Sequence, residues 1–284
     1  MLSLQSPAKI NLFLKIIGKR PDGYHEIASL FQAIDLCDTM HFKLSEKDVF
    51  TCSDLSLPTD GKNLVIKARE LFRRKTGIED CISIQLQKNI PQQAGLGGGS
   101  SNAATTLWAL NNLCGNPVSD MQLSEWGAEI GSDVSFFLSQ GTAYCTGRGE
   151  VLRPLAPLSH PVWIVKPPIG LSTQKVYAEL KLDGANLNEI KRDFDVESIL
   201  ESFKYLQNMN TNLITFNDLE EPAFKLKPEL EALKNNLKAC GFSTVLMSGS
   251  GSSFFCIGNG DLSTFSKNQI FRSQFINRKP NSWY

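Results

Sequence analysis

Pro91-Gln92-Gln93-Ala94-Gly95-Leu96-Gly97-Gly98-Gly99-Ser100-Ser101-Asn102 is the stretch on which the reading of the chain turns. Before it, residues 81–88 alternate, with Ile82, Ile84 and Leu86 on one side, the period-two pattern of a half-buried strand. After it, residues 103–113 are rich in alanine and leucine and predict a helix. The order is strand, glycine loop, helix. Three consecutive glycines, Gly97, Gly98 and Gly99, let the backbone approach a ligand without Cβ clashes. The helix that follows offers unpaired N–H groups and the positive end of its dipole, and Ser100, Ser101 and Asn102 add polar side chains there. Phosphate suits such a site, against the plainer alternative of a flexible Gly/Ser linker. The loop lacks the Gly-Lys-Ser/Thr ending of a P-loop. Counted from Gly95, it has Ser100 where the strict dinucleotide pattern requires its last glycine, so both of those families are disfavoured.

Upstream, Ala8, Ile10, Leu12, Leu14 and Ile16 alternate with Lys9, Asn11, Phe13 and Lys15. This predicts a strand whose even face enters the core, leaving Lys9 and Asn11 together on the opposite face. Pro21-Asp22-Gly23 reads as a turn, followed directly by Tyr24 and His25. A strand is expected near residues 40–44 and an amphipathic helix over 63–75. Ser119 with Gln122 forms a capping box for a further helix that ends near Gly131, just short of Asp133. A hairpin-like stretch over 141–152 contains Thr146-Gly147-Arg148-Gly149.

Pro154, Pro157, Pro161, Pro167 and Pro168 then cluster, placing a lobe boundary that divides the chain into 1–156 and 157–284. The second half predicts strands over 162–166, 244–247 and 254–257 and helices near 173–182, 196–208 and 228–240. Ser248-Gly249-Ser250-Gly251-Ser252 lies between the last two strands. Helices and strands mixed in both halves argue for an α+β fold of two lobes around a cleft.

The bulk numbers exclude several functions. With 29 basic against 29 acidic side chains, the chain has no general field for nucleic acid, so any polyanion must be gripped locally. No apolar run approaches the ~18 to 20 residues that span a bilayer. The seven cysteines are scattered, odd in number and not at metal-ligand spacing, which suits a reducing compartment. A cytoplasmic chain without membrane or nucleic-acid partners is the expectation.

Three blocks together resemble the GHMP small-molecule kinases, the family of galactokinase and of homoserine, mevalonate and phosphomevalonate kinases. They are Ser6-Pro7-Ala8-Lys9-Ile10-Asn11-Leu12, the segment 91–104, and Met247-Ser248-Gly249-Ser250-Gly251, spread over nearly the whole chain. Pro21-Asp22-Gly23-Tyr24-His25-Glu26 and Gly131-Ser132-Asp133-Val134 are most similar to members whose alcohol substrate carries a cytidine diphosphate. The loop departs from that group at Gln92-Gln93-Ala94, where further glycines are common.

The resemblance implies a two-lobed GHMP kinase fold with ATP and substrate in the cleft. Pro91, Gln92, Gln93, Ala94, Gly95, Leu96, Gly97, Gly98, Gly99, Ser100 and Ser101 would hold the ATP phosphates, and Asn63 and Lys88 the adenine. Asp133 would accept the proton of the attacking hydroxyl, with Lys9 beside it stabilising charge and Asn11 orienting substrate. Tyr24, His25 and Tyr177 would select cytidine, with Gly249 and Ser250 as a second amide cradle. Mg2+ would arrive with ATP, keeping several waters and a loop hydroxyl such as Ser100, since no carboxylate cage is evident in the sequence. Two rivals stand beside this: a sibling kinase of a smaller alcohol, and a nucleotide sensor that kept the loop and lost the chemistry.

Overall fold

The computed structural model describes residues 1–180, 194–204, 206 and 213–284; the predicted helix ends at 181–182 and at 205, 207 and 208 lie outside them. Two long antiparallel strands, β1 (Leu2–Lys19) and β2 (His25–Leu44), carry the first half, joined through the Pro21-Asp22-Gly23 turn. The alternation predicted for β1 does not persist. Its register with β2 shifts between Asn11 and Phe13, so Ala8, Ile10, Leu12 and Phe13 share one core cluster, whereas Leu14 and Ile16 join another. A bulge inserts one residue and so exchanges the faces of everything beyond it. The opposite face is not solvent either: Lys9 is 4% and Asn11 1% exposed.

The first sheet continues with β3 (Val49–Cys52), β4 (Ile82–Gln87), β5 (Thr142–Thr146) and β6 (Val151–Pro154) in the order β3-β4-β2-β5-β6, with β1 also paired to β2. Its helices are α1 (Leu64–Thr76), α2 (Gly98–Leu113), α3 (Asp120–Ile130) and the short α4 (Val134–Phe137). The Ser119–Gln122 capping box forms as predicted.

The second sheet runs β10-β7-β9-β8, from β7 (Pro161–Lys166), β8 (Thr244–Met247), β9 (Phe254–Ile257) and β10 (Gln269–Gln274). Around it lie α5 (Thr173–Glu179), α6 (Val196–Lys204), α7 (Glu220–Leu226) and α8 (Glu229–Ala239). The sheets change over in residues 155–160, yet one apolar cluster crosses that segment. Ile10 and Phe13 of β1 share it with Ile164 and Phe255 of the second sheet. Among the described residues, no helix is long and apolar enough to cross a membrane.

Candidate active site

A cavity of ≈ 1210 Å³ opens between these layers, and the glycine loop forms one wall of it. Helix α2 starts at Gly98, earlier than the predicted Ala103, so the end of the triglycine is already the first helical turn. Gly97 sits at its N-cap with φ of 69°, and because it has no side chain it leaves the first-turn N–H groups uncapped. That is the condition for an anion to bind there.

The loop is braced from behind by the second Gly/Ser turn. Ser248 Oγ donates to the Gly95 carbonyl (2.9 Å) and the Ser253 N–H to the Ala94 carbonyl (3.1 Å). Packing is so close that a Cβ on Gly95 would lie 1.9 Å from the Ser248 carbonyl oxygen. Gly249 and Ser250 line the cavity, and Ser250 Oγ meets Thr173 Oγ1 of α5 at 2.7 Å.

Lys9 and Asp133 meet at the cavity floor, with Nζ 3.4 Å from Oδ2. Asp133 stands at the N-cap position of α4 but makes no cap hydrogen bond, so its carboxylate is free for the cavity. Among the described lining residues it is the one carboxylate. Lys9 Nζ donates to Asn11 Oδ1 (2.7 Å) and lies 4.5 Å from the centroid of the Phe31 ring. Asn11 Nδ2 donates to Ser29 Oγ (2.9 Å). Both ends of the Asn11 amide are thus engaged within the protein, and it holds Lys9 in place while lining the cavity. The pair is asymmetric: the Lys9 side chain is 5% exposed and that of Asp133 29%.

Tyr24, His25 and Tyr177 line the same cavity. A backbone bond from the Arg20 N–H to the Tyr24 carbonyl (2.8 Å) and the Arg20–Glu26 ion pair (2.8 Å) brace the turn that presents the first two. The His25 and Tyr177 rings are 5.1 Å apart, tilted by 35°. Burial, reinforced by the charge of Asp133, holds the Tyr177 hydroxyl above its ordinary range and therefore protonated. Burial, and then the charge of Lys19, lowers the His25 pKa below its ordinary 6.5.

A lowered imidazole pKa keeps the ring neutral through the physiological range and admits a proton only on acidification. If neutral His25 reads the nucleobase, KM for a cytidine-bearing substrate should be flat from about pH 8 through 6.5 and rise only at lower pH. Initial rates against substrate concentration across that range test this, and a rise in KM already above 6.5 would remove His25 from the role.

Not every predicted residue reaches the cavity. Asn63 does not line it: its Oδ1 accepts the Val65 N–H (2.9 Å) and caps α1, whereas its neighbour Leu64 is in the wall. Ser101 is fully buried and accepts from Ser6 Oγ of β1 (2.9 Å), so among the loop serines Ser100 alone lines the cavity. Lys88 lines it, with its ammonium paired to Asp38. The remaining loop residues, Pro91, Gln92, Gln93, Ala94, Gly95, Leu96, Gly97, Gly98 and Gly99, all contribute to the wall.

Sequence reasoning passed over Arg148. The Gly147 N–H donates to Glu26 Oε1 (3.1 Å), which draws the hairpin tip onto the Tyr24 turn and sets the Arg148 guanidinium 5.0 Å from the Tyr24 ring centroid. An arginine bracketed by two glycines at a hairpin tip was the available signal. Lys19, also in the wall, had none.

Comparison with known proteins agrees with this arrangement. The GHMP kinases N terminal domain matches residues 63–141, and the GHMP kinases C terminal domain matches 196–272. The 4-diphosphocytidyl-2-C-methyl-D-erythritol kinase of Protochlamydia amoebophila is 55% identical over 284 residues, covering 100% of this chain and 93% of the relative. The chloroplastic enzyme of that name from Arabidopsis thaliana is 45% identical, over 100% of this chain and 76% of its own. A crystal structure of 4-(cytidine 5'-diphospho)-2C-methyl-D-erythritol kinase superposes with a TM-score of 0.80 at 32% identity, covering 97% of this chain and 99% of the other. On sequence and fold alike, the chain belongs to the GHMP kinase family.

Proposed function

We propose that the chain transfers the γ-phosphoryl group of ATP to the 2-hydroxyl of 4-diphosphocytidyl-2-C-methyl-D-erythritol, a step in isoprenoid precursor synthesis. The Lys9–Asp133 pair carries the reading: it lies in the same cavity as an uncapped helix N-terminus and the Tyr24, His25 and Tyr177 rings. The full-length relatives bearing this activity in their names support the choice of substrate.

In this mechanism the loop amides hold the β- and γ-phosphates. The substrate hydroxyl approaches the γ-phosphorus, and the bond to the β-bridging oxygen breaks as the new O–P bond forms. The hydroxyl proton passes to the Asp133 carboxylate. Asp133 is a weak base, but the transition state is loose and the nucleophile loses its proton late, so a positioned carboxylate suffices. Lys9, with its ammonium 3.4 Å from Oδ2, orients that carboxylate.

With Asp133 as the one carboxylate among its described residues, and no cluster of three or more His, Cys, Asp or Glu among the described residues, the wall does not form a cage for Mg2+. The ion fits this site as part of MgATP, where it would neutralise phosphate charge while Ser100 offers a hydroxyl ligand. The two lobes, 1–156 and 157–284, are proposed as the functional units, supported by the change of sheet at 155–160. A reducing, cytoplasmic setting is proposed on the seven free cysteines.

Incubation with MgATP and the cytidylyl substrate, with mevalonate and with homoserine, and measurement of ADP released, tests the reading. Turnover with the first alone is expected. Tyr24→Ala should raise KM for that substrate about tenfold, the loss of one base stack, and leave KM for ATP unchanged. A sibling kinase acting on a small alcohol would not register the change.

A further inference from the structure

The glycine loop leaves β4 through Lys88, Asn89 and Ile90 and enters α2 at Gly98, with Asn102 one turn into the helix. One side chain holds both ends. Asp38, on β2 and fully buried, accepts on Oδ1 the backbone N–H groups of Asn89 (2.7 Å) and Ile90 (2.8 Å). On Oδ2 it accepts the Asn102 side-chain amide (2.9 Å) and the Lys88 ammonium. Asn102 Nδ2 also donates to Ser6 Oγ (2.9 Å), which extends the network to β1.

A carboxylate stripped of water is costly, and buried ion pairs can often be exchanged for apolar side chains without loss of stability. Its presence under the loop therefore asks for a reason beyond packing, and the geometry supplies two. With the chain at 89–90 and at 102 bound to one group, the span that the loop must bridge is set. Its N–H groups are then aimed before a nucleotide arrives, and less ordering is required on binding. The second reason is charge. Lys88 Nζ lies 3.3 Å from where a Cβ on Gly98 would be, against the first turn of α2. A cation beside the positive end of a helix is repelled by it, and the buried anion offsets that repulsion.

We infer that Asp38 is a positioning residue for the nucleotide polyphosphate, fixing both ends of the loop and holding the Lys88 ammonium against the helix end that receives it. This deepens the kinase reading and rests on it. Asp38 itself is fully buried and does not line the cavity.

Asp38→Asn keeps an acceptor for the Asn89 and Ile90 amides but turns an amide toward Lys88 and Asn102, two groups that need an acceptor. Direct titration of the full chain with a non-hydrolysable ATP analogue and Mg2+, and separately with CDP, reads the two proposed subsites independently. The analogue should bind roughly ten- to a hundredfold more weakly, and CDP within about twofold of the original chain. Lys88→Met should also weaken the analogue, and the double variant should bind it no more weakly than Asp38→Asn alone, because the two act as one unit.

Equal weakening of both ligands, or unchanged analogue affinity in a folded Asp38→Asn chain, overturns the inference. If that variant does not fold, Lys88→Met and Asn102→Ala decide: unchanged analogue affinity in both is fatal to it. Failure of the kinase reading has a different signature, analogue binding by the original chain without turnover of the cytidylyl alcohol.

Discussion

Replacing Asp133 by asparagine is expected to lower kcat about a thousandfold while leaving ATP affinity within about twofold. The amide keeps the size of the carboxylate and an oxygen for the Lys9 ammonium, 3.4 Å away in the original chain. What it loses is the capacity to accept a proton, so the defect falls on the chemical step and not on nucleotide binding. The loop amides belong to a different element, the start of α2, and the substitution removes none of these donors. Rapid-quench measurement of the first turnover, beside titration with an ATP analogue, separates the two. Turnover retained within about tenfold would show that the attacking hydroxyl passes its proton elsewhere.

Gly95→Ala is expected to have the second large effect, through the backbone. Gly95 has φ of 74°, which is strained for any residue with a Cβ, and the new atom would lie 1.9 Å from the Ser248 carbonyl. No rotamer relieves that overlap, because the backbone alone sets where the Cβ lies and its partner is a main-chain carbonyl. The loop must part from the 248–252 turn, losing the Ser248 Oγ bond to the Gly95 carbonyl and the Ser253 bond to Ala94. A stability loss of about 2 to 4 kcal/mol is expected. ATP affinity should fall below detection while CDP still binds, since Tyr24 and His25 stand on another element. Thermal melts with paired ATP-analogue and CDP titrations check both halves. An alanine variant that binds the analogue normally would show that the loop and the turn are not in contact in solution.

The loop and its flanking strand and helix were legible because glycine placement is local chemistry, written in consecutive residues. The Lys9–Asp133 meeting was legible only through the motif resemblance, because nothing in a strand residue and a helix-end carboxylate announces contact across such a separation. Where local rules failed, tertiary burial was the cause. From Ile27 to Ile34, β2 is buried on both faces, so its apolar run shows no alternation to read. Helix α7 was missed because Pro222 looks like a breaker, yet it falls in the first turn, where its missing N–H costs nothing. Ser100 and Ser101 read alike, but consecutive helical residues diverge by about 100°, which turns one to the cavity and the other to β1. Asp38 and Arg148 carried no local pattern; their significance comes from partners brought to them by the fold.

The unequal exposure of Lys9 and Asp133 has a consequence for the cycle as a whole. On the proposed assignment each phosphorylation deposits one hydrogen ion on the aspartate, which must be discharged before the next alcohol can react. Because that side chain is 29% accessible, bulk water can collect the ion directly once the products depart, with no wire of internal groups to conduct it. The lysine, by contrast, is sealed at 5% exposure, so the exit to solvent opens at one partner of the pair and not at the other.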